Sequence, residues 1–270
     1  MNKINSFSRT KIMGIINAND DSFCQESRFK GEDAINKINS MIKDGADIID
    51  IGGVSTKPGS LGISSEEELN RIKTICDIIK KERLYEKVIF SIDSYTPCVI
   101  EYALQSGFTI VNDVTGLVND EIARITTKYD ASIIIMHMQG KPLDMQKNPN
   151  YKDVVLEVNK FFIHQIKKAR SFGIKNIILD VGIGFGKTLE HNLLLLKNMN
   201  SFLNLNCEIM IAASRKSLID KIVPSPIEER LSGTLAIHLD SISKGASIVR
   251  CHDVKEHYQA IRVQEAINNR

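Results

Sequence analysis

The sequence has 270 residues, 43% hydrophobic and 25% charged, an ordinary balance for a globular chain. A net charge of +2 gives no broad basic surface, which argues against nucleic acid as a partner but leaves room for a local anion pocket. The opening MNKINSFSRTK lacks the apolar core of a signal peptide, and no apolar run nears the ~18 residues of a membrane span.

In chain order, short apolar runs alternate with helical segments. Lys11 opens KIMGII and Asp47 opens DIIDIG, two expected strands. A helix is expected over SSEEELNRIKTICDIIKK, where Ser65 and Glu68 form a capping box ahead of apolar residues at helical spacing. Strands follow at VIFSID from Val88, FTIVND from Phe108 and SIIIMH from Ser132. VVLEVNKFFIHQIKKARSFG reads as an amphipathic helix ended by Gly173, and NIILDV from Asn176, EIMIAAS from Glu208 and SIVRCHD from Ser247 complete the strand series. The runs are continuous rather than alternating, as in strands covered on both faces.

Eight such units exhaust the chain, and eight parallel strands close a barrel. An open doubly wound sheet would carry a phosphate loop after its first strand, where this chain has Gly14-Ile15-Ile16-Asn17. The expectation is an α/β protein, a (β/α)8 TIM barrel, with residues 1–270 as a single domain. Five scattered cysteines (Cys24, Cys76, Cys98, Cys207 and Cys251), without a C-x-x-C pair, read as reduced, mostly buried thiols of a cytoplasmic protein.

Barrel active sites sit at the C-terminal ends of the strands. The runs end in Asn17, Asp50, Asp93, Asn112 with Asp113, His137, Asp180, Ser214 through Ser217, and Arg250 with His252. Several of these stand before the apolar run is finished, where a carboxylate needs a partner to offset its desolvation. Asp93, Asn112, Asp180 and Lys216 suit a flat heterocycle with N–H and C=O edges, and Asp180 could accept two parallel bonds from an N–C–N edge. Arg250 and His252, at spacing two on one strand, share a face. Beside Asn17 they would form an anion site; the alternative pairs Arg250 with Asp253 or Glu256 on the surface.

The stretch LDVGIGFGKTLEHN, from Leu179 to Asn192, is glycine-rich yet fits neither known phosphate cradle. The Walker spacing puts Val181 where glycine is required, and Gly182, Gly184 and Gly186 are spaced by twos, not as G-x-G-x-x-G. Lys187 and Thr188 are expected only to begin the next helix. His164, His191, His238 and His257 read as helix-surface residues, since no zinc spacing is present.

Taken together, MGIINANDDSF, DIIDIGGVSTKPGS, FSIDSY, VNDVTG, IMHMQGKPLDMQ, LDVGIGFGKTLEHN, ASRKS and RCHDV stand in the order seen in dihydropteroate synthases, a resemblance that covers nearly all of residues 11 to 262. It implies a barrel enzyme, a transferase that joins a pterin diphosphate to p-aminobenzoate in folate biosynthesis and is a target of sulfonamides. The resemblance further implies that Asp93, Asn112, Asp180 and Lys216 hold the pterin with Met136 against its ring. Arg250, His252 and Asn17, the last through Mg2+, would hold the diphosphate. Phe185, Ser217, Thr56 and Pro58 would form the p-aminobenzoate site, with Phe23 closing over it and Lys57 counted among the substrate-binding residues. Lys216, Arg250 and His252 would carry catalysis. The implied partners are these small molecules and a second copy of the chain, as a homodimer.

This chain departs from the family pattern mainly in two loops. Asn19-Asp20 replaces Thr-Pro, CQES replaces Ser-Asp-Gly-Gly so that Gln25 stands for an acid, Val54 replaces Glu and Lys57 replaces Arg; after the sixth strand, Val181 replaces Pro. Rival readings are a pterin-binding methyltransferase, a pterin-binding paralogue without turnover, and an aldolase using Lys216 as a Schiff base. The SRKS and R-x-H-D-V segments favour the synthase.

Overall fold

The computed structural model describes residues 9–18, 27–54, 62–140 and 144–268. Strands β1 (Lys11–Asn17), β2 (Ile48–Gly52), β3 (Ile89–Asp93), β4 (Ile110–Asp113), β5 (Ser132–Met136), β6 (Ile177–Asp180), β7 (Glu208–Ile211) and β8 (Ile248–Cys251) form one closed barrel in sequence order. All neighbours are parallel, and β8 returns to β1 with Met13 abreast of Arg250. Every strand overlaps the run expected to form it, so the (β/α)8 TIM barrel is the observed fold.

Continuous apolar runs fit because the strands feed two separate cores. One side of each strand packs on helices, through residues such as Ile49, Phe90, Val111, Ile135, Leu179 and Val249. The other fills the barrel: Met13, Ile48, Ile110, Ile134, Ile178, Met210, Ala212 and Ile248 form a distinct inner cluster. Side chains repeat every second residue, so each inward row can be followed upward. Ile48 leads to Asp50, Ile110 to Asn112, Ile134 to Met136, Ile178 to Asp180, and Ile248 to Arg250. The interior is therefore hydrocarbon at the base and polar at the C-terminal mouth.

The helices are α1 (Ser27–Lys43), α2 (Ser65–Lys81), α3 (Pro97–Gln105), α4 (Asp120–Lys128), α5 (Val154–Ser171), α6 (Leu189–Lys197), α7 (Ser217–Ile222), α8 (Leu231–Ser243) and α9 (Val254–Asn268). Two of them, α7 and α8, separate β7 from β8, so the expected one-helix spacing fails there. The α5 helix ends as expected, with Gly173 at φ +89°. The expected capping box at Ser65 and Glu68 does not form. Ser64 is the N-cap and accepts from the Glu67 N–H, whereas Glu68 is buried and accepts from the hydroxyls of Ser94, at 2.6 Å, and Thr96. A glutamate on the inner face of an amphipathic helix needs such partners, and the turn after β3 supplies them. Of the cysteines described, Cys76 and Cys251 are buried, but Cys207 is only half-buried and Cys98 is exposed, which corrects the expectation of mostly buried thiols. Cys24 lies outside the described residues.

Candidate active site

Arg250 organises the mouth. It rises inward from β8 and crosses the barrel, where its Nε donates to Asp50 Oδ2 and a terminal nitrogen donates to Asp93 Oδ2, both at 2.6 Å. The surface alternative for Arg250 is thereby excluded, and Asp253 is taken instead by Arg215, whose Nε donates to it at 3.0 Å. Asn112 Nδ2 donates to the same Asp50 oxygen at 3.0 Å. Asp50 is wholly buried, so this one carboxylate fixes both a guanidinium and an amide. The strand-end pattern includes Asp50 without giving it a role; its inward register two residues above Ile48 is the available signal.

The second oxygens of Asp50 and Asp93, and the hydroxyl of Ser91, abreast of Asp50 on the inner face of β3, have no hydrogen-bond partner among the described residues. Unpaired buried acceptors cost about 1–3 kcal/mol each, so this row suits a ligand edge rich in N–H groups. Burial raises the pKa of Asp93 above the ordinary carboxylate range, opposed by Arg250 and reinforced by Asp50 and Glu68. The pKa of Arg250 is raised: burial works against its charge, but Asp50, Asp93 and Asp180 outweigh it.

Asp180 faces inward from β6, buried, and accepts from the Gly182 N–H at 2.8 Å. Burial raises its pKa too, while the charges of Lys216, Arg250 and Lys187 pull it down, so Asp180 shares one electrostatic neighbourhood with Lys216 and Arg250. Met136 lies beside it in register on β5, also buried. Lys216, the N-cap of α7, donates from Nζ to the Ile183 carbonyl at 2.7 Å and stands 4.0 Å from the centroid of the Phe185 ring. Burial lowers its pKa to about 8, against the pull of Asp180.

Phe185 is half-buried and Ser217 exposed at the start of α7. His252 is at the exposed rim, its Nδ1 2.9 Å from Ser214 Oγ; partial desolvation, then Arg250 and Arg215, hold its pKa below the ordinary value. Asn17 is half-buried at the end of β1, while Arg250 is bonded to the acids rather than grouped with it. Asp113 and His137 face away from the interior: Asp113 caps its own loop by accepting from Thr115 and Leu117, and His137 packs edge-on against Phe161. Phe23, Gln25, Thr56, Lys57 and Pro58 lie outside the described residues.

The glycine-rich stretch proves to be a shaped wall. Gly182 and Gly186 have φ of +68° and +60°, and a Cβ on them would come within 2.0 Å of the His137 carbonyl and 2.2 Å of the Gln139 carbonyl. Only glycine allows both the left-handed backbone and the close approach. Lys187 is not a helix-surface residue. It is 1% exposed, and its Nζ donates to the carbonyls of His137, Gly182 and Phe185 at 3.1, 3.0 and 2.9 Å. Thr188 caps α6 in a reciprocal box with His191, as a helix start should. Lys187 is thus a staple that sets the height of Phe185. No sequence signal distinguishes it from a surface lysine, because its partners are all backbone atoms. Two of the four histidines assigned to helix surfaces, His238 and His257, are instead fully buried.

The family described as "Pterin binding enzyme" matches residues 13–252. The chain is 39% identical over 262 residues to the dihydropteroate synthase of Escherichia coli (strain K12), covering 96% of this chain and 92% of that one. Among solved structures, dihydropteroate synthase from Yersinia pestis in a sulfonamide drug complex superposes with a TM-score of 0.91 at 33% identity, covering 98% of this chain and 96% of that one. The Thermus thermophilus enzyme in complex with 4-aminobenzoate gives 0.87 at 32% identity, with 97% and 95% covered.

Proposed function

The chain belongs to the dihydropteroate synthase family of pterin-binding enzymes, and from that premise we propose how the mouth of its barrel acts. The enzyme condenses 6-hydroxymethyl-7,8-dihydropterin diphosphate with p-aminobenzoate, giving 7,8-dihydropteroate and diphosphate. Support for the assignment of roles comes above all from the Arg250 bridge. It draws Asp50, Asp93 and Asn112 to one point, with three carboxylates (Asp50, Asp93, Asp180) facing two cations (Arg250, Lys216).

In this reading the free oxygen of Asp93, with Asn112 and Asp180, takes the N–H edge of the pterin. Lys216 donates to the ring's acceptor side, and Met136 packs on its face. Arg250 and His252 bind the diphosphate, where fixed cationic donors stabilise the charge that develops as the methylene–oxygen bond breaks. The arylamine nitrogen supplies the electron pair for the new C–N bond and then loses its proton to solvent. Phe185 and Ser217 border the p-aminobenzoate, with Phe23, Thr56, Lys57 and Pro58 contributed by the two loops outside the described residues. A Schiff base on Lys216 has no part in this chemistry.

Mg2+ suits the mouth as an ion shared with substrate. Among the described residues no group of three His, Cys, Asp or Glu side chains could hold a metal alone, but Asn17 offers a hard amide oxygen and the diphosphate carries more. Once bound, the ion would add positive charge against the leaving group. We further propose that residues 1–270 act as one domain, in the cytoplasm, where the four described free thiols stay reduced. A homodimer is proposed on the apolar strip at Ile222, Val223 and Ile227, which are 52%, 63% and 54% exposed; a monomer by light scattering would remove it.

A diphosphate-release assay with Mg2+ tests the assignment. The parent should release diphosphate only when both substrates are present, and Asp93→Ala and Arg250→Ala should each lose about 100-fold or more in kcat/KM. Release without p-aminobenzoate, or variants as active as the parent, would overturn it.

A further inference from the structure

Of the buried histidines that the mechanism leaves unused, two meet in the core. His238 on α8 and His257 on α9 are both 0% exposed and meet with ring centroids 5.0 Å apart. The Ala213 N–H donates to His238 Nε2 at 3.1 Å. His238 Nδ1 lies 2.9 Å from His257 Nε2, and His257 Nδ1 lies 2.6 Å from the Asp253 carbonyl oxygen. The two ends of this row are backbone groups with fixed roles, an amide that donates and a carbonyl that accepts. Each ring therefore has one tautomer that satisfies all contacts. His238 carries its proton on Nδ1 and donates to His257; His257 carries its proton on Nδ1 and donates to Asp253. Adding a proton to either ring sets a donor against a donor inside the core.

The ends of the row matter. Ala213 opens the turn that leads through Ser214 and Arg215 to Lys216, and Asp253 follows His252. One turn earlier on α8, Thr234 Oγ1 accepts from the Arg215 N–H at 2.9 Å, so α8 pairs two amides of the same turn. On the other side, the Asp253 carboxylate holds the Arg215 guanidinium. The row therefore joins the turn that carries Lys216 to the loop that carries His252.

We propose that His238 and His257 are positioning residues of the synthase reaction, a neutral two-ring relay whose fixed polarity holds the Lys216 turn and the His252 loop in register. The proposal rests on the functional reading above. Burial, then the facing His257, keeps the pKa of His238 well below the ordinary value. Burial lowers His257 as well, against Asp253 and Glu256, the charged groups that face it from α9 and the loop before it; Arg215, from the β7 side, is engaged with Asp253. Both rings are thus neutral where the enzyme works.

The relay is tested in the intact protein with 15N-labelled histidine at about pH 7.5, where long-range 1H–15N spectra separate the two tautomers. Both residues, assigned through His238→Gln and His257→Gln, should be Nδ1–H and should not titrate between about pH 8 and 6. An Nε2–H or charged ring at either position overturns the relay. The positioning role is tested by a matched pair. A glutamine amide reaches the place of Nε2 and an asparagine amide that of Nδ1, so His238→Gln keeps an acceptor for Ala213 and His238→Asn does not. Compared at matched circular dichroism, kcat/KM for the pterin diphosphate should be about tenfold or more lower in His238→Asn than in His238→Gln. Equal values overturn the positioning role. Should His238→Asn fail to fold, His257→Gln, which loses the donor to the Asp253 carbonyl, takes its place against His238→Gln with the same tenfold difference expected, and equal values again overturn the positioning role. Diphosphate release by the parent tests the synthase reading separately.

Discussion

A guanidinium is a planar fork, and Arg250 uses two of its prongs on two different strands. Asp50 receives one of them together with the Asn112 amide, so its negative charge holds two neighbours that the pterin and diphosphate would both feel. Asp50→Asn keeps the shape and removes the charge. Arg250 retains Asp93, so the cost should be about 1–3 kcal/mol of stability, below that of stripping a buried ion of all partners. In the diphosphate-release assay kcat/KM for the pterin diphosphate should fall about 10- to 100-fold, while KM for p-aminobenzoate stays put. A loss confined to p-aminobenzoate would place Asp50 elsewhere in the mechanism. Residues of this kind divide cleanly by legibility. Asp93, Asn112, Asp180 and Arg250 were readable because each interrupts an apolar run at an inward position. His238 and His257 were not, because a histidine on the buried side of an outer helix shares the spacing of one facing water until its neighbours are known.

The loop after β6 is an element without regular structure, and its form is set by one ammonium and two close backbone approaches. Three carbonyls converge on Lys187 Nζ, which holds the wall against His137 and fixes Phe185 under Lys216. Lys187→Met removes this donor from the buried His137 and Phe185 carbonyls, while the Gly182 carbonyl keeps the Phe185 N–H at 3.1 Å; the loss should be about 3 kcal/mol by the cost of breaking charged hydrogen bonds. Because Phe185 borders the proposed amine site, KM for p-aminobenzoate should rise about tenfold with a smaller change for the pterin substrate. Equal effects on both would mean that the staple serves stability alone. The strands were legible from their Ile and Val content, since burial on both faces leaves an unbroken apolar run. This loop was not: glycines at spacing two announce an unusual backbone, but its shape depends on the carbonyls of a neighbouring loop, 50 residues from Lys187 in the case of His137. The misplaced capping box at Ser65 has a similar origin, since the turn after β3, not the local pattern, claimed Glu68.

Acid stability belongs to the molecule as a whole, because buried groups of opposite linkage compete across it. Asp93, Asp113 and Asp180 have raised pKa values, first through burial, so the folded state takes up protons on them before the unfolded chain does. His137, His238 and His257 have lowered values, also first through burial, and work in the opposite direction. The net slope of stability with pH is a difference of these contributions, but one of them can be removed alone. His137 is 7% exposed, sits edge-on to Phe161 with centroids 4.9 Å apart, and has a pKa lowered to about 3 by burial and then by Lys187. Its neutral ring contributes fully above the ordinary histidine value near 6.5, and that contribution is lost as pH falls from there towards about 3, because the unfolded chain binds the proton first. Phenylalanine fits the same edge contact and leaves the backbone carbonyl free for Lys187. Relative to the parent, His137→Phe should therefore gain up to about 1.4 kcal/mol per pH unit below about pH 6.5, the carboxylate contributions being common to both proteins. Urea unfolding of the two at about pH 7.5, 5.5 and 4.5 measures this difference directly. Curves that remain parallel at every pH would show that His137 is charged in the folded barrel, with a hydrogen-bond partner for its Nδ1.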